Sequence, residues 1–565
     1  MNSFETIKKA LTDIAGNDII FSLDQPEDSS HGDYATNIAF ALSKKQNTSP
    51  KVCADNLIQE LQEKLKDTVS KIEVAGSGFI NFYLKDEVRF EEVKNVSLGV
   101  SNFSSNDKTV LVEHTDPNCF KVFHIGHFMT NAIGESIARI YELGGYKVTR
   151  VCYPSDIGRN VAMGVWGAMK KEDEKPKPNV SLKEKVEFLG TCYAYANGEW
   201  ESDEIAKQEI LEVNKTIYNG GDKKVMEVYA EGRALSLEYF ETMYKRLGTT
   251  FDNFIFESEV SESGLSLVEE YLKKGIFEKS EGAIVYKGEQ DGLHTRVFVN
   301  ALGLPTYEAK DLGNYEKKIE LLPNASYYVA ITANEQNEYF KVVNVVEKKI
   351  RPELTDKLVH FGHGMLRLPK GKMSSRTGNV ISADDLINEV ADKIKDMVKE
   401  VRVDENETAK LVDDISIGAI KFSILKQAIG GDIIFDIDKS ISFEGDSGPY
   451  LQYTHARICA LIARAKEMNI SDEVKSISNH ELELERIISN YSQVLEKTFN
   501  EIEPHHIVQY LLLLTRAFNN LYGRAQIIDE NNKDGSAYYI MITKSVKNIL
   551  AHGLHTLGIV APERM

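Results

Sequence analysis

The stretch between Thr109 and Tyr153 constrains the fold more tightly than any other part of the chain. TVLVEHT, at 109–115, is a short apolar run of the buried-strand type. A loop follows, then His124-Ile125-Gly126-His127, then Ile133, Ile137, Ile140 and Tyr141 at helical spacing. Gly144-Gly145 ends this helix, since glycine readily takes the left-handed C-cap, and KVTRVCY supplies a second strand. Strand, loop, helix, strand is the βαβ unit of a parallel sheet. The paired histidines thus fall at a helix N-terminus, where free N–H groups and a partial positive charge hold phosphate. Gly126 lets a flat ring or a phosphate approach the backbone. Two imidazoles there can donate hydrogen bonds to phosphate oxygens as charge shifts during nucleotidyl transfer. The alternative is a pair of histidines that only cap and pack.

A second feature lies far along the chain. Lys372-Met373-Ser374-Ser375-Arg376 sits within LPKGKMSSRTGNVIS, a loop rich in glycine and lysine. A basic loop with glycine hinges can close over a triphosphate and stabilise departing pyrophosphate. A solvated basic turn is the plain alternative. The two features can converge on one crevice at the carboxyl edge of a parallel sheet.

The remaining sequence divides around that unit. Residues 1–100 form a separate module in which helical runs (Phe4 to Ile14, Val52 to Leu65) alternate with strand-like runs such as 78–84. Polar SNFSSNDK reads as a linker. A sheet domain is expected over 107–435, interrupted by a charged helical insertion around 165–285, with strand-like segments at GAIVYKG and TRVFVN. From 440 to 565 the pattern is helical. The 42% hydrophobic and 27% charged residues are those of an ordinary soluble protein, and no apolar run reaches the ~18–20 residues of a membrane span. The N-terminus lacks the apolar core of a signal peptide and the Arg-rich character of a transit peptide, so a cytoplasmic enzyme is expected. Cys53, Cys119, Cys152, Cys192 and Cys459 are scattered, which suggests neither a disulfide framework nor a structural zinc site. The net charge of −19 counts against a protein that coats nucleic acid, yet a basic track on one face remains compatible with it.

With those motifs in view, the chain resembles the class I aminoacyl-tRNA synthetases, whose paired motifs are written HIGH and KMSKS. It resembles the arginyl-tRNA synthetase family almost end to end. The carriers are Glu113 to Asn118 with Lys121 and HIGH, KMSSRTGNVIS, GDYATNIAFAL at 32–42, GSGFINF at 76–82, GPYLQYTHARICALI at 448–462 and the terminal APERM. The resemblance implies an α/β fold: a Rossmann-like catalytic domain, an N-terminal α/β domain and a C-terminal all-helical anticodon-binding bundle. It implies ATP-dependent activation of L-arginine and its transfer to arginine tRNA, with Mg2+ accompanying ATP, no metal-ligating residues and adenylate formation dependent on bound tRNA. A monomer is expected.

Residue roles follow from the same resemblance. Glu113, Tyr307 and Asp311 match positions that hold the guanidinium of arginine, Asn118 and Gln336 match positions on its α-amino and carboxylate groups, and His124 is a further arginine-binding candidate. Guanidinium is a planar, permanently charged fork best met by carboxylates. Tyr307 and Asp311 could instead mark a strand-to-helix boundary with an N-cap aspartate. ATP falls to His124, Gly126, His127, His363, Met365, Lys372, Met373 and Ser374, although 363–365 could equally be strand packing. Lys121, His124, His127 and Lys372 are the catalytic candidates. Ser375 stands where the class usually has lysine, and Lys121 sits where arginyl enzymes place a substitute charge; otherwise it is a solvated loop lysine. Asn37, Tyr450, Tyr453, Tyr522 and Met565 are the tRNA candidates, the tyrosines by stacking on splayed bases unless they merely pack. The chain departs from the family at Asp116, usually Ser or Asn, and at Ser155-Asp156-Ile157-Gly158, usually Asn-Asp-Trp-Gly. An extra carboxylate at Asp116 near ATP would weaken its binding unless the side chain points away. The rival readings are an RNA-binding paralogue without catalysis, a small nucleotidyltransferase, and a synthetase for another amino acid.

Overall fold

The computed structural model describes residues 2–16, 18–26, 28–369, 381–397, 405–474 and 480–565. In the N-terminal module β1 (Leu23–Asp24), β2 (Tyr34–Thr36), β3 (Val69–Ala75) and β4 (Phe79–Leu84) form an antiparallel sheet ordered β1-β2-β4-β3. Helices Ser3–Ala15, Ile38–Gln46 and Pro50–Lys64 accompany it. The last of these starts where Ser49 accepts the Val52 N–H and Pro50 takes the first helical position, both helix-initiating choices. Helix Asp86–Leu98 then lies along the C-terminal helix Lys533–Thr556. Ser545 donates to Val93 O, and Asn548 donates to Val96 O and Ser97 O. Buried Asp33 joins Arg89 of this helix to Arg486 of the bundle, so the module is pinned by a compact ion network.

The central sheet is built from β5 (Thr109–Glu113), β6 (Lys147–Cys152) and the two-residue β7 (Asn253–Phe254). After a separate antiparallel sheet of β8 (Glu278–Ser280), β9 (Ala283–Tyr286) and β10 (Arg296–Val299) come β11 (Tyr327–Ala333) and β12 (Leu358–His363). The order is β12-β11-β5-β6-β7, every pairing parallel. Val110, Leu111 and Val112 are wholly buried, which is why β5 reads as a continuous apolar run rather than an alternating one. The short β13 (Leu366–Arg367) and β14 (Ile433–Ile434) pair beyond β12.

The insertion is helical, with helices Leu182–Ser202, Glu204–Asn219 and Lys223–Leu247. The chain rejoins the sheet at β7, inside the range 165–285 that composition assigns to the insertion. A two-residue edge strand carries no periodicity to read. Helix Glu257–Lys273 then packs closely on helix Tyr307–Leu321: a Cβ on Gly264 would lie 1.9 Å from Ala309 O.

The C-terminal bundle comprises helices Gly448–Glu467, Leu482–Ser489, Tyr491–Glu501, His505–Arg524 and Lys533–Thr556. The last residues fold back toward the sheet domain. On helix Ile125–Leu143, Arg139 donates to His555 O at 2.6 Å and Ser136 to Thr556 O at 3.2 Å. Buried Lys421 donates to Gly558 O and Leu247 O, each at 2.7 Å. His455 Nδ1 donates to Pro562 O at 2.8 Å. Among the described residues no helix is long and apolar enough to cross a membrane.

Candidate active site

β5, the first strand of this sheet in chain order, lies at its centre, with strands that come later in the chain on either side. The strand order therefore reverses between β5 and β11, and a crevice opens at their carboxyl ends, where parallel sheets bind ligands. Glu113 ends β5, and the loop to His127 follows directly. Gln336, exposed, lies in the 3-10 turn Asn334–Gln336 after β11. His363 ends β12. Asn118, partly buried, bridges in parallel to Ser155 beyond β6.

His124 is the N-cap of helix Ile125–Leu143. Its Nδ1 accepts the N–H groups of Gly126 (3.1 Å) and His127 (3.3 Å). His127 returns the bond, its Nδ1 accepting the His124 N–H at 3.3 Å, and the two rings stack with centroids 3.6 Å apart. A nitrogen that accepts carries no proton, so each neutral ring bears its proton on Nε2. Burial pushes the His124 pKa down to about 4, with the nearby Lys121 charge adding to the effect. Burial also drives His127 well below its usual range, and the His124 and Lys121 charges reinforce this. At neutral pH the pair is therefore two uncharged N–H donors. Gly126 is required by this stack, because a Cβ would lie 2.9 Å from the His124 ring.

Lys372, Met373 and Ser374 lie outside the described residues. The segment after them is anchored on the histidines: Ile125 N donates to Ile381 O at 3.1 Å, Ala383 N donates to Phe123 O at 2.8 Å, and Ser382 bridges His124. On the preceding side Met365, partly buried, donates its N–H to Asp432 and leads into β13. His363 is buried. Its Nδ1 donates to Gly364 O (2.7 Å), so its Nε2 accepts from the Thr130 hydroxyl (2.8 Å), and the ring ties β12 to the helix that His124 begins. Lys121 lies with Nζ 4.3 Å from the centroid of the Tyr193 ring, on the first insertion helix.

The other wall of the crevice is one stripe of helix Tyr307–Leu321. Tyr307, Asp311, Asn314 and Lys318 recur at helical spacing and share a face. Thr306, rather than Asp311, occupies the N-cap position. Lys318 pairs with Glu113 Oε2 at 2.8 Å, and Asn314 donates to the same oxygen at 2.7 Å. Asp311 accepts from the Tyr339 hydroxyl. Tyr307 is 46% exposed and its hydroxyl accepts from Asn160 at 3.1 Å. Asp116 accepts the Tyr153 N–H at 2.7 Å, and burial, with the Glu113 charge adding to it, holds its carboxyl well above the usual carboxylate range. Loss of water pushes the Asp311 pKa up to about 7, the Tyr339 hydrogen bond opposes this, and the Glu113 charge adds to it. This wall concentrates three acids around one lysine, a charge balance that suits a cationic ligand.

Composition alone gave no sign of Lys318, Asn314, Tyr153 or Tyr339. The stripe spacing 307, 311, 314, 318 was the available signal for the first two. Asp156, in the segment that departs from the family, is a fully buried anchor: it accepts from Arg233 and from the N–H and hydroxyl of Ser258.

On the bundle, the Arg457 guanidinium lies over both Tyr453 (4.6 Å) and Tyr522 (5.2 Å), bringing these two together. Tyr450, one turn before, accepts from Asn519 at 2.8 Å. Met565 packs against the bundle core. Asn37 is remote from these, with its side-chain oxygen accepting the Ser22 N–H at 2.7 Å.

An imidazole pair and the anchor of a basic loop, meeting at the switch point of a parallel sheet, define the catalytic fold of a class I aminoacyl-tRNA synthetase. The family model described as tRNA synthetases class I (R), catalytic domain, matches residues 93–437. The Arginyl tRNA synthetase N terminal domain matches 4–84, and the DALR anticodon binding domain matches 451–565. The chain belongs to the arginyl-tRNA synthetase family. An arginine–tRNA ligase of Borrelia hermsii is 30% identical over 562 residues, covering 96% of this chain and 94% of its own length. One from Clostridioides difficile is 30% identical over 579 residues, covering 99% and 98%. In fold, the Thermus thermophilus arginyl-tRNA synthetase superposes with a TM-score of 0.80 at 24% identity, covering 100% of this chain and 99% of its own.

Proposed function

We propose that this chain is an arginine–tRNA ligase, converting L-arginine and ATP to arginyl-adenylate and then charging the 3′ end of arginine tRNA. The observation that carries the amino-acid assignment is the wall of Glu113, Asp116 and Asp311 around the single cation Lys318. A guanidinium completes that balance, and a neutral side chain would leave buried charge unpaired.

In the first step a carboxylate oxygen of arginine attacks the α-phosphorus of ATP and pyrophosphate leaves. In the second a terminal ribose hydroxyl of the tRNA attacks the activated carbonyl and AMP leaves. Neither step needs a covalent protein nucleophile; positioning and charge stabilisation suffice. In this reading Glu113, Tyr307 and Asp311 hold the guanidinium, while Asn118, His124 and Gln336 orient the α-amino and carboxylate groups. The Nε2–H groups of His124 and His127 donate to the phosphates beside Gly126, with Lys121 and Lys372 adding positive charge and Met373 and Ser374 closing the loop. Mg2+ enters as the counter-ion of ATP. His363 serves the nucleotide site indirectly by holding β12 to the catalytic helix, and Met365 lies at the adenine side. Tyr450, Tyr453, Tyr522 and Met565 serve the anticodon stem-loop, and Asn37 a second tRNA contact. The enzyme acts in the cytoplasm, which suits its five free cysteines, and as a monomer.

The test is ATP–pyrophosphate exchange with each amino acid, with and without tRNA. Exchange with arginine alone, and only when tRNA is present, is the expected result. Exchange with a different amino acid would overturn the assignment.

A further inference from the structure

Asp116 stands where the family resemblance implies Ser or Asn, and its backbone setting fixes where its carboxylate goes. Thr115 and Asp116 both have left-handed backbones, with φ of 84° and 38°. For a β-branched threonine this is costly, and such strain persists where surrounding structure enforces it. The twist directs the Asp116 carboxylate back to the Tyr153 N–H. There the charges of Glu113 of β5, and of Lys318 and Asp311 of helix Tyr307–Leu321, act on it. Cys152, the last residue of β6, and Tyr244 of helix Lys223–Leu247 also lie within reach of its charge. Tyr339 covers Asp311, and the neighbouring Glu257 is neutralised by Lys310. The Tyr153 hydroxyl and Asn314 Oδ1, both buried, have no partner.

Three carboxylates therefore share one fixed cation. Like charges this close cannot all stay ionised without a further cation. We propose that Asp116 is a third acid of the arginine pocket and that arginine enters in exchange for a proton. The empty pocket keeps a proton on the Asp116–Asp311 pair. The arriving guanidinium restores the charge balance, the carboxylic O–H ionises, and the proton passes to the solvent buffer. Burial and the Glu113 charge, which raise the Asp116 pKa well above the usual carboxylate range, agree with this. The inference rests on the pocket being that of arginine. It adds to that reading a proton linkage and a discrimination against uncharged analogues that a Ser or Asn at 116 would not supply.

The test is calorimetric titration of L-arginine into the full-length protein at pH 7, in two buffers of different ionisation enthalpy. The expected result is buffer-dependent heat corresponding to release of a substantial fraction of a proton per arginine bound. Asp116→Asn keeps the acceptor for the Tyr153 N–H and removes the charge. It should release distinctly less, and its arginine affinity should depend less steeply on pH. Equal heats in both buffers for the unaltered protein, or the same proton count in Asp116→Asn, would overturn the inference while leaving the pocket assignment standing. No arginine binding in either buffer would instead remove the assignment on which it rests.

Discussion

Lys318 and Glu113 form an ion pair of 2.8 Å although their side chains are only 2% and 4% exposed. The pair joins the end of the central strand to the helix opposite, across the floor of the proposed arginine pocket. Removing one partner of such a pair leaves an uncompensated buried charge and costs about 3–5 kcal/mol. Lys318→Met should lower unfolding free energy at pH 7 by about that amount, measured by chemical denaturation. Saturating L-arginine should then raise the melting temperature of the variant more than that of the parent, since the ligand replaces part of the missing charge. Equal shifts would count against the pocket.

Asp311 sets a pH dependence. Its pKa is raised to about 7 in the unliganded enzyme, so its charged, guanidinium-binding form is depleted as pH falls below that value. The KM for arginine should therefore rise on acidification below pH 7, while kcat changes less. Asp311→Asn should raise KM about 10- to 100-fold, as expected for loss of a charge-assisted hydrogen bond, and flatten its profile. Initial rates across pH 6–8 provide the check.

His124 has separable duties. Nδ1 caps the helix, and in the proposed reading Nε2–H donates to phosphate. Asparagine is a good N-cap and lacks the second donor. His124→Asn should melt with the parent yet lose about 100- to 1000-fold in kcat, the scale seen for one transition-state donor. His124→Ala should lose the same activity and about 1 kcal/mol of stability besides. If Asn restored activity, capping rather than donation would be the role.

Arg457, held over Tyr453 and Tyr522, presents a cation and two aromatic faces together. Arg457→Ala should weaken tRNA binding about 10-fold, within the range of one stacking contact, and leave arginine-dependent melting shifts unchanged. Filter binding with arginine tRNA measures the first and a thermal melt the second.

The local chemistry of His124 and Gly126 was readable because strand, motif and helix are contiguous and strongly periodic. Lys318 was not, because its partner Glu113 lies 205 residues earlier and nothing in either segment announces the pairing. An Asp116 carboxylate weakens ATP binding unless it points away, and its direction is set by the left-handed turn at Thr115 and Asp116, which brings it to the Tyr153 N–H. His363 matched a nucleotide-facing segment, yet both its ring nitrogens are taken by Thr130 and Gly364. Such commitments depend on which side chains meet across the sheet, and a linear pattern does not carry them.

Helix Ile125–Leu143 has its first turn closed by His124 and its later turns gripping the carbonyls of His555 and Thr556. Its 19 residues make a rod about 28 Å long. The paired imidazoles sit at one tip, and near the other the rod is bolted to the anticodon-binding domain. Its axial position is thus a single mechanical coordinate shared by both, and a displacement of the bundle is felt by the imidazoles as a translation of their mounting.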